Sequence, residues 1–589
     1  MTSMPASTSE VTVGPMATSA PVGERGAPTG PTAPRASHGV RGAGPDGRRG
    51  WRLVVLAVAV LVVAPVGLVA VSILTPSGDV WSMLWRTVLP RMVVTTLVLL
   101  AAVVVVTVVL GAGLAWLVGR HRFPGHRAFS WLLVLPLAMP AYVLGFVYLG
   151  VLDHPGPVQT ALRGWFGADV WFPEVRSLPF AVVVLSLAYY PYVYLLARAA
   201  LTEQTAATYE AARVLGHSPL RAARRVVLPL ARPSLAAGAA LVAMETLTDF
   251  ATVQYFNVQT VSVAVYQVWN GMYNRVAATE IASLVLLFAI LVITLERAAR
   301  GRARFHQGGG PRHVEPVQLT GGRAWAATAF CSLLVAITFV LPVAQLVAWS
   351  STATLRTSAG GFDPRYLTYL VNSLTIAALT AVACASIAML VASATRLGGT
   401  ASTRQLARLA TVGYAVPGPV VAIGVLAMLA AADAMLDAVG SSWGALLVTG
   451  SLVGLLYAYV VRFLALAYNS VDASLEKVAP SITDAAFTLG ASPGRVLRRV
   501  HVPLVRSGVG VALVLTAVDA LKELPVVLLL RPFGYETLAI WVYELASESR
   551  WELAGLPALT IVAVAVVPVV VLFRRALQVP DSPTRAGTP

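Results

Sequence analysis

Residues Glu203–Arg232 read EQTAATYEAARVLGHSPLRAARRVVLPLAR, a polar, arginine-rich segment set between long apolar runs. In it Glu210-Ala211-Ala212 is followed after three residues by Gly216, and after nine more by Val226, Leu228 and Pro229. The same frame returns as Asp484-Ala485-Ala486, Gly490, and then Val500, Val502 and Pro503. Gly216 and Gly490 stand 274 residues apart, so the chain reads as two related halves, each carrying one such loop.

Each loop reads as two short helices broken at the glycine, which can take the left-handed conformation that ends a helix. Ser218-Pro219 and Ser492-Pro493 supply an N-cap residue followed by proline at the first helical position. Pro229 and Pro503 are expected to stop the second helix where the next apolar run begins. The first helix offers a small apolar face, Ala211, Ala212 and Leu215 in one loop and Ala485, Ala486 and Leu489 in the other. Beside that face stands one acid, Glu210 or Asp484. Such a patch fits the groove of another protein; the plainer alternative is a pair of ordinary amphipathic interface helices.

Composition sets the surroundings. With 589 residues, 57% hydrophobic and 12% charged, the chain is too apolar for a soluble protein of this size. Its formal charge of +16 is nearly all arginine, because Lys477 and Lys522 are the only lysines. The arginines cluster between apolar spans, the pattern of cytoplasmic loops rather than of a nucleic-acid surface. Cys331 and Cys384 both fall inside apolar runs, which argues against a disulfide framework or a cysteine metal site.

Residues 1–50, rich in Ser, Thr, Pro and Gly, cannot bury a core and read as a disordered cytoplasmic tail. A first half is expected over 51–298, with spans near 53–74, 92–118, 129–152, 179–200, 233–255 and 277–295. A Gly- and Arg-rich cytoplasmic linker, 299–323, leads to a second half over 324–575. Its spans fall near 325–349, 370–394, 409–429, 445–468, 508–530 and 555–573, and 576–589 form a second cytoplasmic tail. The reading is therefore an all-α membrane protein of about twelve helices, repeated in parallel, in the cell membrane with both termini cytoplasmic. Each third span is interrupted, by LPLAMPAYVLG at Leu135–Gly145 and GYAVPGPVVAIG at Gly413–Gly424. Broken helices of this kind are tolerated in a membrane where they pack on protein or line a cavity.

Little here points to an enzyme. The sequence contains no H-E-x-x-H, no C-x-x-C and no phosphate-binding G-x-x-x-x-G-K-[ST]. Gly490–Gly494 matches G-x-S-x-G but lacks the preceding strand that a nucleophile elbow needs. The remaining chemistry lies in the span after each loop. AMETLTDFATVQYF holds Glu245 and Asp249; AVDALKELPVVLLLRPFG holds Asp519, Lys522 and Glu523. Glu245/Asp249 and Asp519/Glu523 are i,i+4 pairs related by the same 274-residue offset, so each pair is expected on one helix face. Charge near mid-membrane usually faces a bundle interior or an aqueous path. Carboxylate oxygens suit a hard cation in transient contact. The alternative is that they pair with Lys522 and backbone groups to hold the bundle together.

The two loops resemble the EAA loop of ABC importer permeases, where this helix docks on the cytoplasmic ATPase; Asp484 replaces the usual glutamate. The charged phrases and GYAVPGPVVAIG resemble the ferric-iron permeases of that superfamily, although Asp249-Phe250-Ala251 stands where Asp-Phe-Gly is usual. The resemblance runs from Trp51 to the end of the chain. It implies the fused permease of an importer that takes Fe(III) from an extracytoplasmic binding protein. It also implies two copies of a separate ATPase that uses the ATP, a lipid environment, no cofactor on this chain and no nucleic acid. In the ATPase-coupling role it places Glu210, Ala211, Ala212, Gly216, Asp484, Ala485, Ala486 and Gly490. Other substrates of the superfamily (thiamine, a polyamine, a phosphonate) remain alternatives, as does a self-sufficient secondary transporter, since internal repeats also mark those.

Overall fold

The computed structural model describes residues 45–74, 78–203, 212–222, 225, 227–272, 274–300, 317–356, 363–438 and 449–577. Helices dominate because most of these segments are unbroken runs of Val, Leu and Ala punctuated by Pro and Gly. The first half contains α1 (Pro45–Ser72), α2 (Leu89–Arg120), α3 (Ala141–Leu152), α4 (Leu178–Glu203), α5 (Leu228–Thr248), α6 (Ala251–Tyr255) and α7 (Arg275–Arg300). The second half begins with α8 (Gly321–Val335) and α9 (Leu341–Arg356), joined by a π turn, and continues with α10 (Pro364–Gly398), α11 (Gly418–Ala438) and α12 (Leu452–Glu476). After these come α13 (Pro480–Thr488), α14 (Arg506–Lys522), α15 (Pro525–Leu530), α16 (Leu538–Ser547) and α17 (Trp551–Leu577).

Among the described residues nine helices are long and apolar enough to cross a membrane, or up to eleven when each sharply bent pair counts as one span. That agrees with the expected dozen. The exposed surface of these helices is itself apolar. On α2, Val94, Val98, Val105 and Val109 face outward while Leu99, Val103 and Leu114 are buried, so both faces avoid water. The third span is broken in both halves, as its prolines and glycines foretell. His126–Leu132 and the 3-10 turn Leu135–Ala138 meet α3 at an 88° bend, and a 3-10 turn at Val412–Ala415 precedes α11.

Three helices form the centre of each half: α2, α4 and α5 in the first, α10, α12 and α14 in the second. The opening helix of the first half crosses over to the second, while that of the second half packs on α17 and touches the first. α1 packs on α10, α11 and the short helix Ala401–Ala410. Pro65 inside α1 has no N–H, which frees the Leu61 carbonyl one turn earlier. Tyr457 of α12 donates its hydroxyl to that carbonyl at 2.6 Å. Gly424 of α11 lets the two backbones touch, for a Cβ there would overlap the Pro65 carbonyl oxygen. In return, Tyr148 of α3 donates to the Ile337 carbonyl at 2.6 Å, and Gly150 of α3 lies against Trp349 of α9. A two-residue parallel pair, β1 (His121–Arg122) with β2 (Val317–Gln318), ties the end of the linker to the loop after α2.

Candidate functional site

The charged phrases meet. One cavity of about 90 Å³ between the halves is lined by Glu245, Asp249, Asp519, Lys522 and Glu523 together. That volume holds a few water molecules or one small ion. The expectation that each i,i+4 pair shares a helix face needs correction. α5 ends at Thr248 and α14 at Lys522, and the second carboxylate of each pair sits beyond the helix in extended backbone. The cause is the same in both halves. Asp249 Oδ1 accepts the Thr252 amide at 2.9 Å, and its Oδ2 accepts the Thr252 hydroxyl at 2.6 Å, so it caps α6. Glu523 Oε1 accepts the Val526 amide at 3.3 Å and caps α15 in the same way. The fifth expected span of each half is thus a helix, a carboxylate hinge and a short helix.

The last residue of each fifth helix reaches across to the other half. Lys522 Nζ donates to the Leu137 carbonyl in the first re-entrant turn at 3.4 Å and pairs with Asp519 at 2.8 Å. Thr248, at the equivalent place, accepts the Gly418 amide at the start of α11 at 3.4 Å. Sequence reasoning missed Arg462, which sits in the middle of apolar α12. It is 6% exposed, pairs with Glu523 at 3.4 Å and donates to the Val416 carbonyl of the second re-entrant turn at 2.9 Å. A lone arginine inside an apolar run was the available signal. Tyr142, Tyr189, Tyr192 and Tyr414 also line the cavity, and Tyr189 donates to Asp249 Oδ2 at 3.3 Å. Among the described residues no three His, Cys, Asp or Glu side chains stand together as a metal site.

The two loops form a second candidate surface. Glu210 and Ala211 lie outside the described residues. Gly216 (φ +86°) and Gly490 (φ +77°) are both left-handed. Their amides bond to the Arg213 and Phe487 carbonyls at 3.1 and 3.0 Å. The next residues, His217 and Ala491, bond back to Ala212 and Ala486 at 3.1 and 3.0 Å, which makes a Schellman cap in each loop. Leu215 and Leu489 occupy matching positions and are 79% and 87% exposed. Ile482, Ala485 and Leu489 make one exposed apolar face on α13, with Asp484 exposed beside it. Ala486 is half-buried, whereas Ala212 is buried with Ala222 and Val227 against Trp116 and Leu201, turned away from the outer surface.

The serine caps differ between the loops. Ser218 accepts the Arg221 amide at a long 3.4 Å, while Ser492 stands at the N-cap without a side-chain capping bond. Pro229 opens α5 rather than merely closing the loop. One group bridges α13 and the end of α10, and a second holds the end of α12 and the turn before α13. His501 is buried between the Thr483 and Ser393 hydroxyls, at 3.2 and 3.3 Å, and Arg396 donates to the Leu475 and Val478 carbonyls. α13 is thus joined to a membrane helix through the His501 ring.

Known proteins resemble this chain in sequence. The family described as binding-protein-dependent transport system inner membrane component matches residues 111–300, from within α2 to the end of α7. The Fe(3+)-transport system permease protein FbpB 2 of Haemophilus influenzae is 26% identical over 498 residues, which cover 84% of this chain and 92% of that protein. PhnV of Salmonella choleraesuis, named for 2-aminoethylphosphonate transport, is 30% identical over 265 residues, 43% of this chain and 93% of PhnV. The molybdenum transport system permease protein ModB of Escherichia coli is 29% identical over 229 residues, 37% of this chain and 96% of ModB.

Proposed function

For a chain that belongs to the binding-protein-dependent transport system inner membrane components, we propose the role of a fused, two-half permease that imports Fe(III). The iron comes from an extracytoplasmic binding protein, and two copies of a cytoplasmic ATPase bind the loops around Gly216 and Gly490 and use the ATP. This chain holds no cofactor of its own. Both termini and the linker lie in the cytoplasm, in keeping with the arginine-rich loops.

The observation that carries the reading is the convergence of four carboxylates from two distant phrases on one cavity between the halves. Against them stand two cations, Arg462 and Lys522, so the cavity carries a formal excess of two negative charges. Such a field favours a metal cation and opposes sulfate, molybdate or phosphonate. The first relative, which spans both halves, is named for Fe(3+) transport. In this mechanism the ATPase pulls on α13 and its first-half counterpart. The motion passes through His501 and Arg396 to α10, and the two carboxylate hinges let the fifth helices open the path. Glu245, Asp249, Asp519, Lys522 and Glu523 line that path.

The test is uptake of radiolabelled Fe(III) in a strain lacking this chain, with and without a restored copy. Restoration should return uptake, and excess molybdate or 2-aminoethylphosphonate should leave it unchanged. Uptake that is indifferent to the chain, or suppressed by either anion, would refute the assignment.

A further inference from the structure

We infer that the two halves use their carboxylates differently: Glu245 and Asp249, with the Tyr142 hydroxyl, form the oxygen-donor face that touches a hard trivalent cation, whereas Asp519 and Glu523 serve as latches. This rests on the reading that the cation crosses between the halves, and it assigns the contact to one of them.

The second-half carboxylates are engaged. Asp519 pairs with Lys522 and Glu523 with Arg462, and each cation also holds the carbonyl of a re-entrant turn, Leu137 or Val416. Among the described residues neither Glu245 nor Asp249 is ion-paired. The repeat explains why. At the 274-residue offset Lys522 corresponds to Thr248 and Arg462 to Ala188, and both of these neutral residues line the same cavity. The first half therefore presents two carboxylates with no cation of its own.

The hydroxyls are skewed in the same direction. At the same offset Tyr189 corresponds to Phe463, so the first half has a phenol where the second has a bare ring. Tyr142 follows the first re-entrant turn; the equivalent place after the second turn, counted from Pro140 and Pro417, is Pro419. Tyr142 is only 5% exposed, lines the cavity, and its buried hydroxyl has no hydrogen-bond partner among the described residues. An unsatisfied buried hydroxyl is costly, and a passing ligand would satisfy it. Carboxylate and phenol oxygens are hard donors, which matches a small, highly charged cation. Two carboxylates and a phenol are too few to trap it, as passage requires.

The experiment uses the full transporter, with its ATPase and binding protein, in vesicles supplied with radiolabelled Fe(III). The readout is uptake divided by the amount of assembled complex. Glu245→Gln and Tyr142→Phe should assemble in normal yield and lower that ratio about tenfold, the weight of one charge-assisted contact. Glu523→Gln should instead lower the yield, because it strands Arg462, and Glu523→Gln/Arg462→Met should recover it. Equal ratios for the unaltered chain and for Glu245→Gln and Tyr142→Phe would overturn the inference. So would an assembly yield that stays as low in Glu523→Gln/Arg462→Met as in Glu523→Gln. Absence of iron uptake by the unaltered chain is a separate result, and it refutes the substrate assignment itself.

Discussion

Replacing Gly490 with alanine isolates what the left-handed cap contributes. Its φ is +77°, and a Cβ built there would have nothing within 4 Å, so no steric clash enters. The cost is conformational: an L-residue in the left-handed region loses about 1–2 kcal/mol. Because 1.4 kcal/mol is about a factor of ten, the ratio of capped to uncapped loop falls by roughly that factor. If the ATPase binds only the capped loop, its apparent dissociation constant rises by up to about tenfold. Gly216, at +86° and equally open, should behave alike. Asparagine visits this region more readily than other side chains, so Gly490→Asn should bind better than Gly490→Ala, and Gly490→Val should be worst. The assay is titration of purified ATPase onto the permease in lipid discs, reading stimulated ATP hydrolysis, with membrane yield as the control. An alanine variant that binds like the unaltered chain would refute the argument. An order of variants that ignores tolerance for positive φ would refute it too.

Leu215→Asp or Leu489→Asp places a charge on the exposed apolar face of each loop; co-purification of the ATPase should fall while membrane insertion is unchanged, and unaltered co-purification would count against docking there. Gly413→Ala should sharply reduce folded protein, because the added methyl would overlap the Val461 carbonyl oxygen, whereas Gly510→Ala, with open space around it, should be tolerated. Protein yield in membranes compares the two directly. Arg462→Met leaves Glu523 buried without its cation, a loss of about 3–5 kcal/mol, and thermal aggregation of the detergent-solubilised protein should begin at a lower temperature. A single cysteine at position 308, which lies outside the described residues, should escape an impermeant thiol reagent in intact cells. Labelling there would invert the proposed orientation.

The loops and most spans were legible because each rests on local chemistry. A glycine between helical alanines, a serine-proline start and runs of valine carry their meaning within a few residues. The convergence of Glu245, Asp249, Asp519, Lys522 and Glu523 was legible for another reason: charge in an apolar segment has few places to go, and the repeat puts both phrases at one axis. The hinges were not foreseen, because a carboxylate four residues after another reads as helical spacing. The bond from Asp249 to Thr252 and its counterpart from Glu523 to Val526 compete locally with helix continuation. Arg462 stayed hidden because its two partners, Glu523 and the Val416 carbonyl, come from separate elements. Nor could spacing reveal that α1 serves the other half, since an apolar helix is compatible with many apolar neighbours.

The crossing of α1 to the other half has a consequence for how the molecule is made. α1 is made well before its second-half partners: it meets α7 within its own half, but α10 starts at Pro364, so every residue from 73 to 363 must be added before docking across the halves can begin. At about 5–20 residues per second, the wait is on the order of tens of seconds. Through that interval the Leu61 carbonyl beside Pro65 still lacks its tyrosine. An unfinished copy therefore carries a helix docked on one side only, with an unsatisfied polar notch that sets incomplete chains apart from complete ones. Once Tyr457 arrives, the clasp holds the halves together independently of the linker, so two separately encoded halves would have a ready means of finding each other.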